Sequence, residues 1–250
     1  MSGPDERSGA ATGRRTAVVH GGVTEARSAA AEVCADLRTG ELLDGSFERR
    51  GAHLESRDRR WLHELLFGML RRRSWLDAVL GDRVRGGLVR LDADLTDLLR
   101  LGAYQLLFMR SVPAYAAIAQ TVELTKRRHG LGASKLVNAV LRRLDREHDA
   151  LALDPDASSL PAHATTTPLT DPIDELALAH SHPRWLVARW TARWGERETA
   201  RLLESNNSEA PIFIRPWGIV REQLEATLES AGVHVTEVAL LGDSMRLAAP

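Results

Sequence analysis

The chain has 250 residues, enough for one large domain or two of ordinary size. Its hydrophobic content of 44% and charged content of 27% are typical of a soluble globular protein, and no apolar run approaches the roughly 18 residues of a membrane span. The formal net charge of -1 excludes a uniformly basic protein, so any affinity for a polyanion must come from a localised basic face.

The first 24 residues mix charge, glycine and serine and contain no apolar segment of the kind found in a secretory signal. We expect residues 1–24 to be disordered and the protein to be cytoplasmic.

The single cysteine, Cys34, cannot form an internal disulfide or a thiolate metal cluster, and its apolar surroundings predict a small buried residue. The 9 histidines show no metal-ligand spacing such as H-E-x-x-H, so no metal site is predicted.

Up to residue 148 the apolar residues recur at helical spacing, and no convincing alternating strand is present. The first predicted helix covers residues 25–40 and ends at Gly40. The next begins near Ser56, a suitable N-cap, and has one broad apolar face that predicts core packing. If this helix continued straight, Arg72 and Arg73 would rotate onto the apolar face, so we expect it to fray or bend there.

Three further helices complete the first half of the chain. The helix at residues 95–109 is apolar nearly all round in its second half, which predicts a central and buried position. Another begins at Pro113 and ends before Gly130, and the last covers SKLVNAVLRRL. The first half is therefore predicted to be all-α.

The composition changes at residue 151. Residues 151–172 are rich in proline, serine, threonine and aspartate and read as a linker. Helices resume at Ile173 and include PRWLVARWTARW, whose three tryptophans are expected to be core rather than stacking residues. After Asn206 and Asn207, which favour a structural turn, the pattern predicts a strand, a helix and two strands, a small α+β unit that looks incomplete at residue 250.

Basic residues are concentrated in two segments. Residues 49–90 contain 11 arginines and 5 acidic residues, and residues 126–147 contain 7 basic and 2 acidic residues. This clustering favours a nucleic-acid-binding face. The arginines could equally be solvated helix ends, because the chain has only two lysines and its surfaces must use arginine. Phe67 likewise either packs against another helix or forms a stacking platform for a base.

Five segments of the chain resemble a known family. The order SRDRRWLHELLFGMLRRR, DLLRLGAYQLLFMRSVPAYAAIAQTVELTKRRHG and SKLVNAVLRRL resembles the NusB-type helical domain. The following SHPRWLVARWTARWG and ESNNSEAPIFIRPW resemble the segment that joins this domain to the catalytic half in the RsmB/Sun family of ribosomal RNA cytosine-C5 methyltransferases. The resemblance implies an RNA-binding helical domain, a short helical region and a small RRM-like module that present ribosomal RNA to a catalytic domain using S-adenosylmethionine.

The expected fold is mainly α. Its parts are a disordered N-terminus at 1–24, a NusB-like helical RNA-binding bundle at 25–150, a linker at 151–172, a helical connector at 173–208, and a partial RRM-like α+β module at 209–250.

The chain departs from the family in its chemistry. Enzymes of the family require a glycine-rich cofactor loop after a strand and two cysteines, whereas Cys34 lies in the first helix and no such loop is present. No catalytic, cofactor-binding or metal-binding residue is therefore predicted here, and S-adenosylmethionine belongs to the full-length family. The chain alone is expected to be inactive.

Two functions follow as expectations. The first is the RNA-positioning region of such a methyltransferase, with small-subunit ribosomal RNA and a separate or missing catalytic domain as partners and no membrane. The second is a stand-alone NusB-like RNA-binding antitermination or regulatory factor, although such a factor would end near residue 148. The predicted RNA contacts are Arg57, Arg59, Arg60, Arg71, Arg72, Arg73, Lys135, Asn138 and Arg142.

Overall fold

The structure is a computed structural model that describes residues 19–20, 22–151, 169–208, 210–237 and 244–247. It divides into two units, Met1–Ser205 and Asn206–Pro250. Most of the predicted linker and nearly all of the expected disordered N-terminus lie outside the described residues. Within the described ranges, no helix combines the length and the apolarity needed to cross a bilayer.

The first unit is built from helices, with one short hairpin at its start. Its elements are β1 (Val19–His20), β2 (Val23–Thr24), α1 (Glu25–Arg38), α2 (Leu43–Gly51), α3 (Ser56–Arg71), α4 (Arg73–Gly81), α5 (Ala93–Phe108), α6 (Ala114–Arg146), α7 (Pro172–Ala179), α8 (Arg184–Trp194) and α9 (Glu196–Asn207).

The helix α5 is the centre of the bundle, as its nearly continuous apolar sequence predicts, and Leu98, Leu99 and Ala103 are almost completely buried. Two glycines permit close approach of its neighbours. A Cβ atom on Gly68 of α3 would lie 1.8 Å from the hydroxyl oxygen of Tyr104, and one on Gly102 would lie 2.7 Å from Leu141 of α6.

These two contacts give the relative positions of α3 and α6. Tyr104 faces α3 and Gly102 faces α6, and residues two apart on a helix point about 200° apart. The helices α3 and α6 therefore contact different sides of α5 at these two points.

Two predicted interruptions are confirmed. The helix α3 ends at Arg71, Arg72 leaves the helical conformation with φ -103° and ψ 15°, and α4 begins at the next residue. The long helix α6 is broken at Gly130, whose φ of 81° lies in the left-handed region that a glycine adopts readily. The expected bend and the expected glycine stop are thus both present.

The structure also contains elements that were not predicted. The hairpin β1–β2 shows that the end of the stretch expected to be disordered is ordered, because Val23 is buried and the Thr24 amide donates a hydrogen bond to Gln120 Oε1 at 3.0 Å. The nine-residue helix α2 was missed as well. Both elements are too short for periodicity to reveal them.

The connector helices pack on one another and on the bundle. Ser181, between α7 and α8, has a left-handed φ of 56°, and its Oγ accepts hydrogen bonds from the amides of Ser74 and Trp75 at 2.9 and 3.3 Å. It thereby caps the first turn of α4 from outside the helix. The side chain of Leu178 also packs against the core of the bundle.

The expectation that the three connector tryptophans are core residues is wrong for two of them. Trp190 packs against the small core of Ala177, Val187 and Leu203, whereas Trp185 is 65% exposed and Trp194 is 47% exposed. The reason is geometric, since Trp185 lies about 140° around α8 from Trp190 and Trp194 is the last residue of the helix.

The second unit has the predicted order of strand, helix, strand and strand. Its elements are β3 (Phe213–Ile214), α10 (Arg221–Ser230), β4 (Val235–Glu237) and β5 (Met245–Leu247). The sheet order is β3-β5-β4, both pairings are antiparallel, and Gly232, with φ 75°, follows the end of the helix. The mainly α fold class with a small α+β module is thus confirmed.

Candidate nucleic-acid interface

Four of the predicted contact residues have free guanidinium groups. Arg57, Arg60, Arg71 and Arg73 are exposed, and their guanidinium groups form no ion pair or hydrogen bond with any part of the chain that the structure describes. Arg60 and Arg71 are 11 residues apart, close to three helical turns, so they lie on one face of α3 about 17 Å from each other. Arg57 and Arg73 extend this basic region to the start of α3 and the start of α4.

An aromatic cluster lies on α3 between Arg60 and Arg71. His63 stacks on Phe67 with ring centroids 4.1 Å apart, and Phe47 of α2 meets both rings edge-on at 5.7 and 5.9 Å. Phe67 is half-buried in this cluster. It therefore packs against a neighbouring helix, which was one of its two predicted roles.

Arg59 and Arg72 have a different environment from the four free arginines. Arg59 donates a hydrogen bond to Glu48 of α2 and lies over the Phe47 ring at 5.4 Å. Arg72 lies over the ring of Phe108 at 4.3 Å, and its Nη1 atom is buried. Both side chains take part in packing between helices, so a substitution at either position would change that packing as well as the charge.

The three predicted residues of α6 form a separate patch. Lys135 is exposed, and Arg142 Nε donates a hydrogen bond to Asn138 Oδ1 at 3.0 Å. They follow the break at Gly130, on α6, which packs against Gly102 of α5, whereas α3 packs against Tyr104. The three residues of α6 therefore form a patch that is separate from the arginines of α3.

Arg128, in the basic run before Gly130, is neutralised by acids from other helices. Arg128 donates hydrogen bonds to Glu32 of α1 at 2.6 Å and to both carboxylate oxygens of Asp94 of α5 at 2.8 Å. Arg38 and His129 also contact the Asp94 carboxylate, each at 2.7 Å. Burial opposes ionisation of Asp94, but the hydrogen bonds from Arg128, His129 and Arg38 outweigh it and hold its pKa well below the usual range.

The same network continues along α5. Arg100 is buried and donates hydrogen bonds to Asp97 at 2.7 Å and to the two carboxylate oxygens of Asp77 at 2.6 and 2.8 Å. Next to it lies Cys34, which is buried, and burial raises the pKa of its thiol to about 12. The prediction that Cys34 is a buried residue is confirmed.

Arg27 was not identified from the sequence. It is 8% exposed, and its guanidinium group donates hydrogen bonds to Gln105 at 2.7 Å, to Gln120 at 3.1 Å and to Thr24 at 3.0 Å. It lies 4.6 Å from the centre of the Trp61 ring, and burial lowers its pKa to about 10. The sequence around Arg27, an alanine-rich helix, does not indicate this environment. The Arg27 guanidinium group is thus held beside α3 by side chains that are all uncharged.

Comparison with known proteins agrees with this architecture. Residues 24–146 match the NusB family, and residues 182–250 match the ferredoxin-like domain of RsmF/B-like methyltransferases. The chain therefore combines a NusB-family helical domain with the ferredoxin-like domain of a methyltransferase family.

The similar proteins include ribosomal RNA small subunit methyltransferase B of Pseudomonas syringae, 31% identical over 90% of this chain and 46% of that protein. The probable enzyme of the same name from Synechocystis is 32% identical over 74% of this chain and 38% of its own length. The chain belongs to this family, as the sequence resemblance predicted, and corresponds to its NusB-containing part. It spans about half the length, or less, of the curated relatives that it matches.

A solved structure supports the fold. The crystal structure of PH0851 superposes with a TM-score of 0.59 and 16% identity, over 94% of this chain and 50% of that one. At this identity the likeness establishes the fold alone.

Proposed function

We propose that this chain binds small-subunit ribosomal RNA through the free arginines of α3 and α4 and positions it for cytosine-C5 methylation. The observation that carries the proposal is that Arg57, Arg60, Arg71 and Arg73 have no acidic partner among the described residues. An exposed guanidinium without an internal partner is available for the paired hydrogen bonds that phosphate oxygens accept.

The electrostatics around these arginines support the same ligand class. The fixed charge of Arg27 lies over Trp61, one helical turn along α3 from Arg57, and no carboxylate is recorded among its partners. A phosphate near Arg57 would therefore experience the field of two cations. Lys135, Asn138 and Arg142 are proposed as a second patch, which a longer RNA would reach around the bundle.

The chemistry is proposed to lie in a domain that this sequence does not contain. A cysteine nucleophile must be accessible and must form a thiolate, whereas Cys34 is buried and its pKa is raised to about 12. We expect a cytoplasmic protein whose described part binds RNA and whose catalytic partner binds S-adenosylmethionine. A stand-alone regulatory factor is the alternative, but the match of residues 182–250 to a methyltransferase ferredoxin-like domain favours the first function.

The test replaces the four free arginines, Arg57, Arg60, Arg71 and Arg73, together with glutamine. Affinity for a hairpin of small-subunit ribosomal RNA should fall, and the slope of log Kd against log salt should decrease by about 3, because each lost phosphate contact removes roughly 0.7 to 0.9. Fluorescence anisotropy at several salt concentrations measures both quantities, and circular dichroism checks that the helices remain.

The matched control removes the same amount of charge from arginines with acidic partners. It is the quadruple glutamine variant of Arg127, Arg143, Arg184 and Arg201, all of which form ion pairs in the structure. The proposal requires a much smaller loss in this variant. Equal losses in the two variants would show a general effect of net charge, and no loss in either would exclude the arginine face as an RNA site.

A further inference from the structure

A glycine in α3 leaves room for the hydroxyl group of a tyrosine that belongs to another helix. Tyr104 of α5 is 7% exposed, and its hydroxyl oxygen lies where a side chain at Gly68 would begin, since a Cβ atom there would be 1.8 Å away. The hydroxyl forms no hydrogen bond with a described residue, and the buried polar atoms that lack a partner among those residues belong to other side chains. The Tyr104 oxygen is therefore in contact with solvent at the surface of α3.

Gly68 lies on the same flank of α3 as two of the free arginines. Arg57, Glu64, Gly68 and Arg71 follow one another at intervals of 7, 4 and 3 residues, which places them within about 60° of one another around the helix. Arg57 and Arg71 are about 21 Å apart along the axis, and Glu64 and Gly68 lie between them. An RNA strand whose phosphates contact both arginines must therefore pass over Glu64 and the Tyr104 hydroxyl.

Glu64 is an unpaired acid in the middle of this basic flank. It is exposed, and its carboxylate forms no ion pair or hydrogen bond with a described residue. Neighbouring protein atoms partly desolvate the carboxylate, which raises its pKa. Burial also raises the pKa of the Tyr104 hydroxyl, on which the charges of Arg72, Glu64 and Arg71 act as well. The Glu64 carboxylate and the Tyr104 hydroxyl thus lie close enough to interact.

A carboxylate between two phosphate-binding arginines restricts what can lie over it. Glu64 repels phosphate oxygens, so the group that faces it must donate a hydrogen bond. Within the sugar-phosphate backbone of RNA the 2′-hydroxyl is the only donor, and it is also an acceptor. The Glu64 carboxylate can accept its proton while the Tyr104 hydroxyl donates to its oxygen. An amino group of a base is the other donor that RNA offers, and the experiment below separates the two.

We infer that Glu64 and Tyr104 recognise a ribose 2′-hydroxyl of the RNA strand that lies along α3. The inference rests on the proposed function for its ligand, but it concerns a different property. The free arginines supply affinity for the phosphates of RNA and DNA alike, whereas Glu64 and Tyr104 select RNA. The two residues determine specificity and take no part in the methyl transfer.

The test uses the complete 250-residue chain and the hairpin of small-subunit ribosomal RNA, prepared as a series with a single 2′-deoxy substitution at each nucleotide in turn. The parent should lose about 3- to 10-fold in affinity at one or two positions, the range expected for one hydrogen bond. Tyr104→Phe keeps the ring, which stacks on Phe108 at 5.2 Å, and removes only the hydroxyl. It should weaken binding of the unmodified hairpin by a similar factor and show no further loss at those positions, because both changes remove the same contact.

The other tyrosine of the chain provides the matched control. Tyr115 is 77% exposed at the start of α6, so Tyr115→Phe removes an accessible hydroxyl from a different part of the unit. This variant should keep the affinity of the parent and its sensitivity to the 2′-deoxy substitutions. Fluorescence anisotropy measures both, and circular dichroism checks the helices.

Glu64→Ala is a second variant, with a readout that a structural role would not give. It should abolish the sensitivity at the same positions, because the acceptor is lost. It should also leave unchanged or increase the affinity for an all-2′-deoxy hairpin of the same sequence, since a carboxylate that only opposed the phosphates has been removed. Equal weakening of the RNA and the DNA hairpin by Glu64→Ala and Tyr104→Phe would overturn the inference.

The remaining outcomes also decide between the alternatives. Parent binding that is insensitive to every 2′-deoxy substitution overturns the inference, as does a Tyr104→Phe variant that keeps the sensitivity of the parent. If replacing guanosine by inosine, rather than removing a ribose hydroxyl, gives the loss that Tyr104→Phe abolishes, the contact is with a base and the ribose assignment is wrong.

Failure of the proposed function gives a different result. If the quadruple glutamine variant binds the hairpin as the parent does, the arginine face is excluded, while a position that depends on Tyr104 would still establish the ribose contact. If that variant loses the hairpin but no 2′-deoxy position matters to the parent, only the inference on Glu64 and Tyr104 fails. A parent chain that does not bind the hairpin would overturn both.

Discussion

The arginines of α3 and those of α6 look alike in the sequence and differ in the structure. Arg71 and Arg73 end one basic run and have no partner among the described residues, whereas Arg128 ends another and is held by two carboxylates. Those carboxylates, Glu32 and Asp94, are 96 and 34 residues away along the chain. A local charge count therefore detects basic residues but not whether the fold neutralises them.

The largest expected effect is the loss of a buried pair on the neutralised side. Arg100→Gln removes the buried cation that Asp97 and Asp77 share and leaves Asp97 with Arg38 alone, so it should lower the free energy of unfolding by about 3 kcal/mol. Urea unfolding followed by circular dichroism measures the change. Arg60→Gln is the control on the free side and should stay within about 0.5 kcal/mol of the parent. A loss below about 1 kcal/mol for Arg100→Gln would mean that the network does not hold the bundle together.

The second prediction concerns pH. The pKa of Asp94 is depressed in the folded protein, so its stabilising contribution is present above its unfolded value of about 3.9 and is lost as the pH falls toward the folded value. The parent should lose stability below about pH 4, and Asp94→Asn should flatten that part of the curve by about 2 kcal/mol. Asp145→Asn, at an exposed position of α6, is the control and should keep the steep acid limb. Parallel curves for the parent and Asp94→Asn would contradict the assignment.

These contrasts show which parts of the fold follow from local sequence. The apolar character of α5, the break at Gly130 and the bend at Arg72 could all be predicted, because each depends on residues within a few helical turns. The helix α2 could not, because nine residues carry too little periodicity. Exposure of Trp185 could not either, because helix geometry separates it from Trp190 but does not say which of the two faces the connector core.

The candidate site could be predicted only as a set of residues. The sequence indicated the basic ends of α3, but it could not separate Arg60, which is free, from Arg59, which hydrogen-bonds Glu48 and lies over Phe47. It also gave no reason to single out Arg27, because its partners come from α5 and α6. Ion pairing and burial are long-range properties of the packed chain, and periodicity contains no information about them.

A third prediction compares a variant of a paired arginine with a variant of a free arginine in the same two measurements. Arg128→Gln removes charged hydrogen bonds to Asp94 and Glu32 and should lower stability by about 1 to 2 kcal/mol while leaving the Kd for the hairpin unchanged. Arg71→Gln should do the opposite, with unchanged stability and weaker RNA binding. Thermal unfolding and anisotropy on the same samples provide both measurements. Weaker RNA binding by Arg128→Gln, with normal helical content, would remove the distinction between free and paired arginines.

The smallest expected effect tests whether the patch on α6 belongs to the same surface as α3. Lys135 and Arg142 follow the break at Gly130, on the helix that packs against Gly102 rather than Tyr104 of α5, so a short hairpin bound at α3 should not reach them. The double variant Lys135→Gln and Arg142→Gln should therefore change the Kd for a short hairpin by less than about twofold. With a longer ribosomal RNA that can pass around the bundle, each lost phosphate contact should lower the slope of log Kd against log salt by roughly 0.7 to 0.9.

Asn138 loses its hydrogen bond from Arg142 in this variant, so Asn138→Ala is measured alongside it to separate that contact from the lost charge. If the short hairpin loses as much affinity as the long RNA, the two patches act as one surface, and the separation inferred from Gly68 and Gly102 does not govern RNA binding.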